Sequence, residues 1–535
     1  MPPKKKVVSE KLSIDDQYRE KIRLASRIGK KGYTIPKSIL EEPEYNFLKR
    51  DLFVQAIIKS AVGVNTDAPA FPVYRENDAK IYIPRFYGIE RYGIPDKSDL
   101  QSGDPISVPF AKELRDYQND IVDTYIKHVS NGSCGGSSGS CGGGILEVFC
   151  GAGKTVLSLK IISMIGLKTL ILVHKEFLMN QWIERIEEFL PTARVGKIQG
   201  PTFDIEDKDI VIGMIQTMFC REFPVGTFDS FGLTIIDEVH RIGSEEFSKT
   251  LLKTITPYML GISATVDRKD GLTKILHMFI GPKIYSSKRK DEDSVCVRGI
   301  EYISKDDEFN ETETDFRGNV KYSTMITKIC DYGPRSDFIL RILRDLLLEN
   351  PKCQIMVLAH NRSLLNYLYD GINHRAFATT GYYIGGMKES ALKDTETKQI
   401  VLATYAMAAE ALDIKTLCVL VMVTPKTDIE QSVGRILRSK HANPIVVDII
   451  DKHDTFQNQW RKRKTFYRKS NYRIIQTNSL EYKGFDNIDK WKSVFVPKRA
   501  ADVESSSDGE DDVYVPPTKG CILNTSLFSS SLLSP

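Results

Sequence analysis

Leu146-Glu147-Val148-Phe149-Cys150-Gly151-Ala152-Gly153-Lys154-Thr155 is the stretch on which the reading of this chain turns. An apolar, strand-like run ends in a Gly-rich turn, and residues 156–165 continue as an apolar-rich helical segment. Strand, glycine loop and helix start together form a phosphate-binding arrangement. The glycines let backbone N–H groups turn inward, and the helix N-terminus adds its positive dipole end. On this reading Cys150, Gly151, Ala152 and Gly153 wrap the phosphates, and Lys154 reaches the β/γ-phosphates of a nucleotide. The Thr155 hydroxyl holds Mg²⁺. The strict pattern wants Gly five positions before Gly153, where this chain has Val148. A Gly-rich strand-to-helix turn with no ligand is the competing reading. Residues downstream decide between them.

Beyond this anchor, strand and helix alternate. Residues 169–173 read as a buried strand, and residues 177–190 as an amphipathic helix carrying Leu178, Trp182, Ile183, Ile186 and Phe189. Residues 209–213 and 233–236 are further strands, the latter ending in Asp237-Glu238-Val239-His240; residues 259–262 lead into Ser263-Ala264-Thr265. Such alternation predicts a doubly wound parallel sheet with functional groups at the carboxyl ends of its strands. A second α/β series follows, with helices at 335–347 and 362–371 and strands at 354–358, 399–403, 418–422 and 444–450. It has no glycine-lysine loop of its own.

The 535 residues suggest three or four domains, and 41% hydrophobic with 27% charged residues is ordinary for a soluble protein with sizeable cores. A net charge of +4 decides nothing. No apolar run is long enough to span a membrane, and no secretory signal opens the chain. Nine cysteines without a CxxC pair argue for a reducing compartment and against structural zinc. The expected division is a flexible basic tail over 1–16, an accessory domain over 17–110, a first α/β domain over 111–283, a charged connector over 284–333, a second α/β domain over 334–500 and a disordered tail over 501–535.

Several segments keep two readings. Pro2-Pro3-Lys4-Lys5-Lys6-Val7 is either a basic import signal or a solvated terminus. In the accessory domain, residues 41–61 contain a helix, and 71–74 and 79–84 are short strands. Arg85-Phe86-Tyr87-Gly88 interleaves a base with aromatics, as a stacking surface for nucleic acid or as a packed corner. Residues 131–144, seven Gly and four Ser, form a flexible loop in which Cys134 and Cys141 lack ligand partners. Residues 451–500 hold 13 Lys/Arg against five Asp/Glu, as a nucleic-acid groove or a helix with a solvated basic face. Residues 502–512 are acidic and Ser-rich.

Asp237-Glu238 supplies what the anchor lacks. One carboxylate can hold Mg²⁺ and the next can polarise an attacking water, as ATP hydrolysis requires. Gln431-Ser432-Val433-Gly434-Arg435-Ile436-Leu437-Arg438 places two arginines three apart, on one face if helical. Arginines beside a leaving phosphate are worth roughly 10³–10⁵ in rate. They come from the second α/β half, so ATP would sit between the halves. A capped helix and a surface ion pair are the bland readings of these pieces taken singly.

Gln118, the Gly151 to Thr155 loop, Asp237 to His240, Ser263 to Thr265 and Gln431 to Arg438 together resemble the superfamily 2 helicases. The resemblance implies an α/β fold of two RecA-like doubly wound parallel-sheet domains, with the small N-terminal accessory domain before them and the disordered acidic tail after. It implies that Arg115 and Gln118 lie by the adenine, that Asp413 belongs to the ATP site, and that Gln431, Arg435 and Arg438 act with Lys154 and Glu238 in catalysis. Ser263, Thr265 and Glu410 would couple hydrolysis to strand movement, and Gln216, Thr217 and Thr404 would contact nucleic acid. Ala411 stands where the family has Gly. Residues 263–271 are similar to the xeroderma-pigmentosum-B-type DNA helicases, with Val266 where Pro is usual. Residues 71–76 and 82–88 are similar to the poxvirus-type transcript-release helicases of large DNA viruses. The implied activity is ATP-dependent translocation on DNA, 3′ to 5′, in viral transcription. The implied partners are DNA, single-stranded or duplex with a single-stranded end, and an RNA polymerase elongation complex, with no membrane. The implied location is the nucleus or cytoplasm of an infected cell, or the virion. An RNA helicase, a repair-type duplex translocase and a non-catalytic nucleic-acid-binding subunit are the alternatives.

Overall fold

A computed structural model describes residues 13–56, 69–130, 142–149, 151–239, 245–268, 270–287, 295–410, 414, 416–427, 429–436 and 444–497, without the side chains of residues 409, 410, 431, 435 and 436. The accessory region begins with α1 (Asp16–Ala25), β1 (Arg27–Gly29), β2 (Gly32–Pro36), α2 (Glu42–Asp51) and β3 (Phe53–Val54). It continues with β4 (Phe71–Pro72), β5 (Arg75–Glu76), β6 (Lys80–Ile83), α3 (Arg85–Tyr92) and β7 (Lys97–Ser98). Five of these strands pair in the order β5-β6-β2-β1-β7.

The first α/β layer opens with α4 (Asp116–Ser130), β8 (Gly142–Val148), α5 (Lys154–Ile165), β9 (Thr169–Val173) and α6 (Glu176–Phe189). Next come β10 (Val195–Gln199), β11 (Thr202–Phe203), β12 (Ile210–Met214), α7 (Ile215–Cys220) and β13 (Leu233–Asp237). It closes with α8 (Glu245–Leu251), β14 (Tyr258–Ser263), α9 (Thr273–Ile280) and β15 (Lys283–Ser287). The strand order is β11-β10-β12-β9-β13-β14-β8-β15, parallel except for β11. Both faces are covered, so successive residues bury in different cores. Ile145, Leu170 and Leu172 face one apolar cluster, and Leu146, Ile171 and Val173 face the other.

The second layer runs β16 (Cys296–Tyr302), α10 (Asp307–Asn310), α11 (Tyr322–Asp331), α12 (Gly333–Glu349), β17 (Gln354–Ala359) and α13 (Arg362–Arg375). Then follow β18 (Thr380–Tyr383), α14 (Glu389–Glu396), β19 (Ile400–Thr404), α15 (Tyr405–Glu410), β20 (Leu417–Met422) and α16 (Glu430–Ile436). It ends with β21 (Ile445–Asp451), α17 (Asp454–Lys469), β22 (Arg473–Asn478) and β23 (Lys492–Phe495). The order is β18-β19-β17-β20-β21-β16-β22-β23, with only the β22–β23 pair antiparallel. The architecture is α/β with two such parallel-sheet layers.

Residues 284–333, read as a charged connector with some strand, hold most of β15, which joins the first sheet, and β16, which lies inside the second. The strand at 444–450, the last that reads clearly in the sequence, is followed by β22 and β23, which extend the sheet beyond β16. Two expectations are corrected. Gly142, Gly143 and Gly144 belong to β8 rather than to a loop; the rest of the glycine segment, residues 131–141, lies outside the described residues. The helix expected over 41–61 ends at Asp51. The acidic tail, the segment read as disordered, also lies outside the described residues.

Arg85-Phe86-Tyr87-Gly88 resolves as a packed corner. Arg85 is 1% exposed and its Nη1 donates to the carbonyls of Thr256 (2.8 Å) and Pro257 (3.1 Å) in the first α/β layer. Its guanidinium stacks on Phe86 at 4.5 Å. Tyr87 donates to Asp51 at 2.8 Å. A stacking platform for bases would need these rings in the open.

Candidate active site

In the first sheet β13, β14 and β8 are neighbours, so their carboxyl ends present Asp237-Glu238, Ser263 and the glycine loop side by side. Adjacent strands lie about 4.8 Å apart, which places three motifs distant in sequence within reach of one small ligand. The loop enters α5 through Gly151 (φ +91°) and Gly153 (φ +85°). That left-handed backbone favours glycine. A Cβ on Gly153 would also lie 2.6 Å from the Gln118 amide nitrogen. Gln118, 5% exposed, donates from Nε2 to the Ala152 carbonyl at 2.8 Å, and its Oε1 accepts from the Arg115 backbone N–H at 3.0 Å. Its amide therefore clamps the loop to the start of α4. Arg115 in turn donates to the Tyr117 hydroxyl at 3.2 Å.

Lys154 is the first residue of α5, and its ammonium pairs with Glu238 Oε1. Glu238 holds a left-handed backbone (φ +50°), uncommon for a residue with a side chain and concentrated at functional sites. The Ser263 hydroxyl donates to the Thr265 carbonyl at 2.7 Å, and its oxygen lies 3.4 Å from the other Glu238 oxygen. Thr265 N–H donates back to Ser263 Oγ at 3.3 Å. The Ser-Ala-Thr segment is thus in direct touch with the carboxylate that holds Lys154.

Asp237 is 7% exposed. Burial pushes its carboxyl up to about 6 and adjacent Glu238 adds to this, while Lys154 and a hydrogen bond from Trp182 pull the other way. That bond, Trp182 Nε1–H to Asp237 Oδ2 at 3.0 Å, comes from α6, where Trp182 is 1% exposed. Trp182 is the site residue that sequence reading misses. Thr155 is the second residue of α5, on the same loop-to-helix turn. Thr155 and Asp237 supply hard oxygen donors of the kind Mg²⁺ takes. Among the described residues no group of three or more His, Cys, Asp or Glu could hold a metal ion alone. Such an ion fits here only with phosphate and water completing its shell.

Gln216 and Thr217 open α7 and line an open surface cleft of about 590 Å³ with Gly200, Pro201, Cys220 and Arg221. Gln216 donates to the His174 carbonyl (3.1 Å), and Thr217 Oγ1 accepts from the Gly200 N–H (2.9 Å). Thr404 ends β19 in the second sheet, half-buried. Glu410 ends α15, and Gln431 and Arg435 lie on α16; their side chains are outside the described set. Cys150, Asp413 and Arg438 lie outside the described residues altogether. Among the described residues no helix is long and apolar enough to cross a membrane.

Residues 111–268 match the family model "Type III restriction enzyme, res subunit". L396 of Acanthamoeba polyphaga mimivirus, which carries the name of an ATP-dependent RNA helicase, is 34% identical over 474 residues, 84% of this chain and 86% of that protein. QP509L of an African swine fever virus isolate, named in the same way, is 27% identical over 392 residues, 68% of this chain and 75% of its own. XPB2 of Sulfurisphaera tokodaii, named a DNA 3′-5′ translocase, is 30% identical over 226 residues, 41% of this chain and 46% of its own.

Proposed function

This chain belongs to the superfamily 2 helicases of large DNA viruses, with their ATP-hydrolysing activity, and on that premise we propose that it translocates 3′ to 5′ on DNA during viral transcription. The observation that carries the reading is the meeting of Lys154, Asp237, Glu238 and Ser263 at the ends of adjacent strands. Lys154 is within reach of any phosphate on the loop, and Glu238 takes the proton of the attacking water. Thr155 and Asp237 would hold Mg²⁺, which would supply positive charge to neutralise the phosphates. Arg435 and Arg438 would supply the cations beside the leaving phosphate, and Ser263 with Thr265 relays the state of Glu238 to the strand-gripping cleft at Gln216 and Thr217. Asp413 and Glu410 complete the ATP and coupling sets.

The DNA assignment is supported by residues 263–271 and by a relative named as a DNA 3′-5′ translocase. RNA is the second reading, favoured by the names that L396 and QP509L carry. In the first reading the substrate is single-stranded DNA or duplex with a single-stranded end, and the role is release of transcripts from a stalled RNA polymerase complex, in the nucleus or cytoplasm of an infected cell or in the virion.

The deciding experiment measures ATPase rate alone, then with single-stranded DNA, duplex DNA and RNA, with Lys154→Ala as the inactive control. DNA stimulation that falls steeply with salt is expected, because a translocase grips mainly phosphates. Stimulation by RNA with DNA inert turns the assignment to RNA. DNA stimulation with no effect on stalled elongation complexes removes the transcription role and keeps the motor.

A further inference from the structure

α17 packs one face on the second sheet through Phe456, Trp460, Arg463 and Tyr467, all buried. Arg463 is 1% exposed, bonded by Nε and Nη2 to Asp448 at 2.7 and 2.9 Å. The expected solvated basic face is therefore only part of the helix. At about 100° per residue, Arg461, Lys464 and Arg468 fall within an arc of about 60° on one flank. Lys492, exposed on the outermost strand β23, lies close enough for its charge to act on Lys464. Burial, with the charges of Arg468, Arg461 and Lys492 nearby, holds the Lys464 ammonium below its ordinary value.

Among the described residues none of the four has a carboxylate partner. Arg461 donates to Asn458 at 2.8 Å, and Lys464 lies over the Trp460 ring at 5.6 Å. Four crowded, unneutralised cations repel one another, and the arrangement is relieved by an anionic partner. Topology argues against the nucleic-acid track as that partner. α17 leaves the carboxyl end of β21 and returns to the amino end of β22, so Arg468 sits at the amino ends of the strands, opposite Thr404.

The chain itself carries a complementary segment. Residues 502–512 hold Asp502, Glu504, Asp508, Glu510, Asp511 and Asp512 with no Lys or Arg. They come soon after β23: Lys492 and Asp502 are ten residues apart, a reach of up to about 34 Å, and Arg461 to Arg468 spans only about 10 Å of helix. A tether this short keeps the acidic segment at an effective concentration of order millimolar. We propose that residues 502–512 dock in cis on the basic flank formed by Arg461, Lys464, Arg468 and Lys492. The docked segment neutralises that face and bars other polyanions from it until displaced.

The full-length chain is treated with a carbodiimide, which joins a carboxylate to a lysine amine only where the two touch. The expected result is cross-links within one molecule from residues 502–512 to Lys464 and Lys492, lost at ~1 M salt, where the screening length is about 3 Å. They should also be lost in the double variant Arg461→Glu/Arg468→Glu. A second measurement leaves the folded part untouched. Neutralising the tail (Asp508→Asn, Glu510→Gln, Asp511→Asn, Asp512→Asn) should raise the acetylation rate of Lys464 and Lys492 several-fold and leave other lysines unchanged. Links scattered over distant lysines, links only between molecules, or unchanged acetylation overturn the proposal. Protection of Lys464 and Lys492 by single-stranded DNA, with no tail links in its absence, overturns it in favour of nucleic acid.

Discussion

On the proposed reading, in which Asp237 holds Mg²⁺, Trp182 allows metal binding to be separated from fold at a single atom. Its ring fills the core beside the first sheet, and its N–H fixes one oxygen of Asp237. Trp182→Phe keeps most of the ring and removes only the donor. Partners behind a metal ligand are typically worth 10–100-fold in metal affinity. The variant should therefore need about tenfold more Mg²⁺ for half-maximal ATPase, with nearly normal turnover at saturation. Mg²⁺-dependent nucleotide binding, measured at equilibrium, should weaken in parallel. An unchanged Mg²⁺ requirement removes Trp182 from this role. Glu238→Gln acts on chemistry instead: the amide keeps the shape, loses the charge that pairs with Lys154, and cannot accept a proton. ATP should bind and stay, with turnover down by about 10²–10⁴. Normal turnover excludes Glu238 as the base. The candidate residues Lys154, Asp237 and Glu238 can be named from sequence because each lies in a local motif at or just beyond the end of a strand. Trp182 reads only as an apolar helix position, since its partner lies 55 residues away and a single polar contact leaves no periodic trace.

The glycine segment tests how an element is bounded. Shortening residues 131–141 should leave ATPase within about twofold, because a Gly- and Ser-rich stretch costs little to shorten. Gly143 should not tolerate change. A Cβ there would lie 2.2 Å from the Ile280 carbonyl oxygen and 2.6 Å from the Phe86 ring. Gly143→Ala is expected to cost at least about 1–3 kcal/mol in urea unfolding; a neutral effect contradicts this packing. Composition alone joins Gly142 to Gly144 with the loop, because glycine carries no signal of what packs against it. β22 and β23 are hidden for another reason: they lie among charged residues near the sheet edge, where apolar runs are short. The long pairing of Arg335 with Asp451, both side chains 0% exposed and 2.6 Å apart, is equally silent in sequence. Arg335→Met strands a buried carboxylate and should cost about 3–5 kcal/mol. Arg335→Met/Asp451→Leu should recover much of it, and failure to recover would show that the pair does more than balance charge.

At the scale of the whole molecule, apolar contact ties the accessory region to the first α/β layer more firmly than that layer is tied to the second. One buried cluster runs from Ile22, Tyr33, Leu48 and Tyr92 of the accessory region to Ile145, Leu172, Ile236 and Phe279 of the first layer. Arg85 pins the same boundary on Thr256 and Pro257. Between the two layers, by contrast, Lys393 meets Glu184 at 3.0 Å and Asn180 meets Glu389 at 3.0 Å, all at exposed positions. Exposed pairs of this kind are worth about 0–1 kcal/mol. Phe177, half-buried, adds an apolar touch. Calorimetry should therefore show two transitions, with the accessory region melting together with the first layer. Arg85→Met and Phe86→Ala should lower that transition and leave the other in place. Nucleotide with Mg²⁺ should raise the transition that Arg85→Met lowers, since the glycine loop lies in that unit and ligand binding to the folded state stabilises it. A separate accessory transition, insensitive to Phe86→Ala, would mean that the shared cluster does not make one cooperative unit.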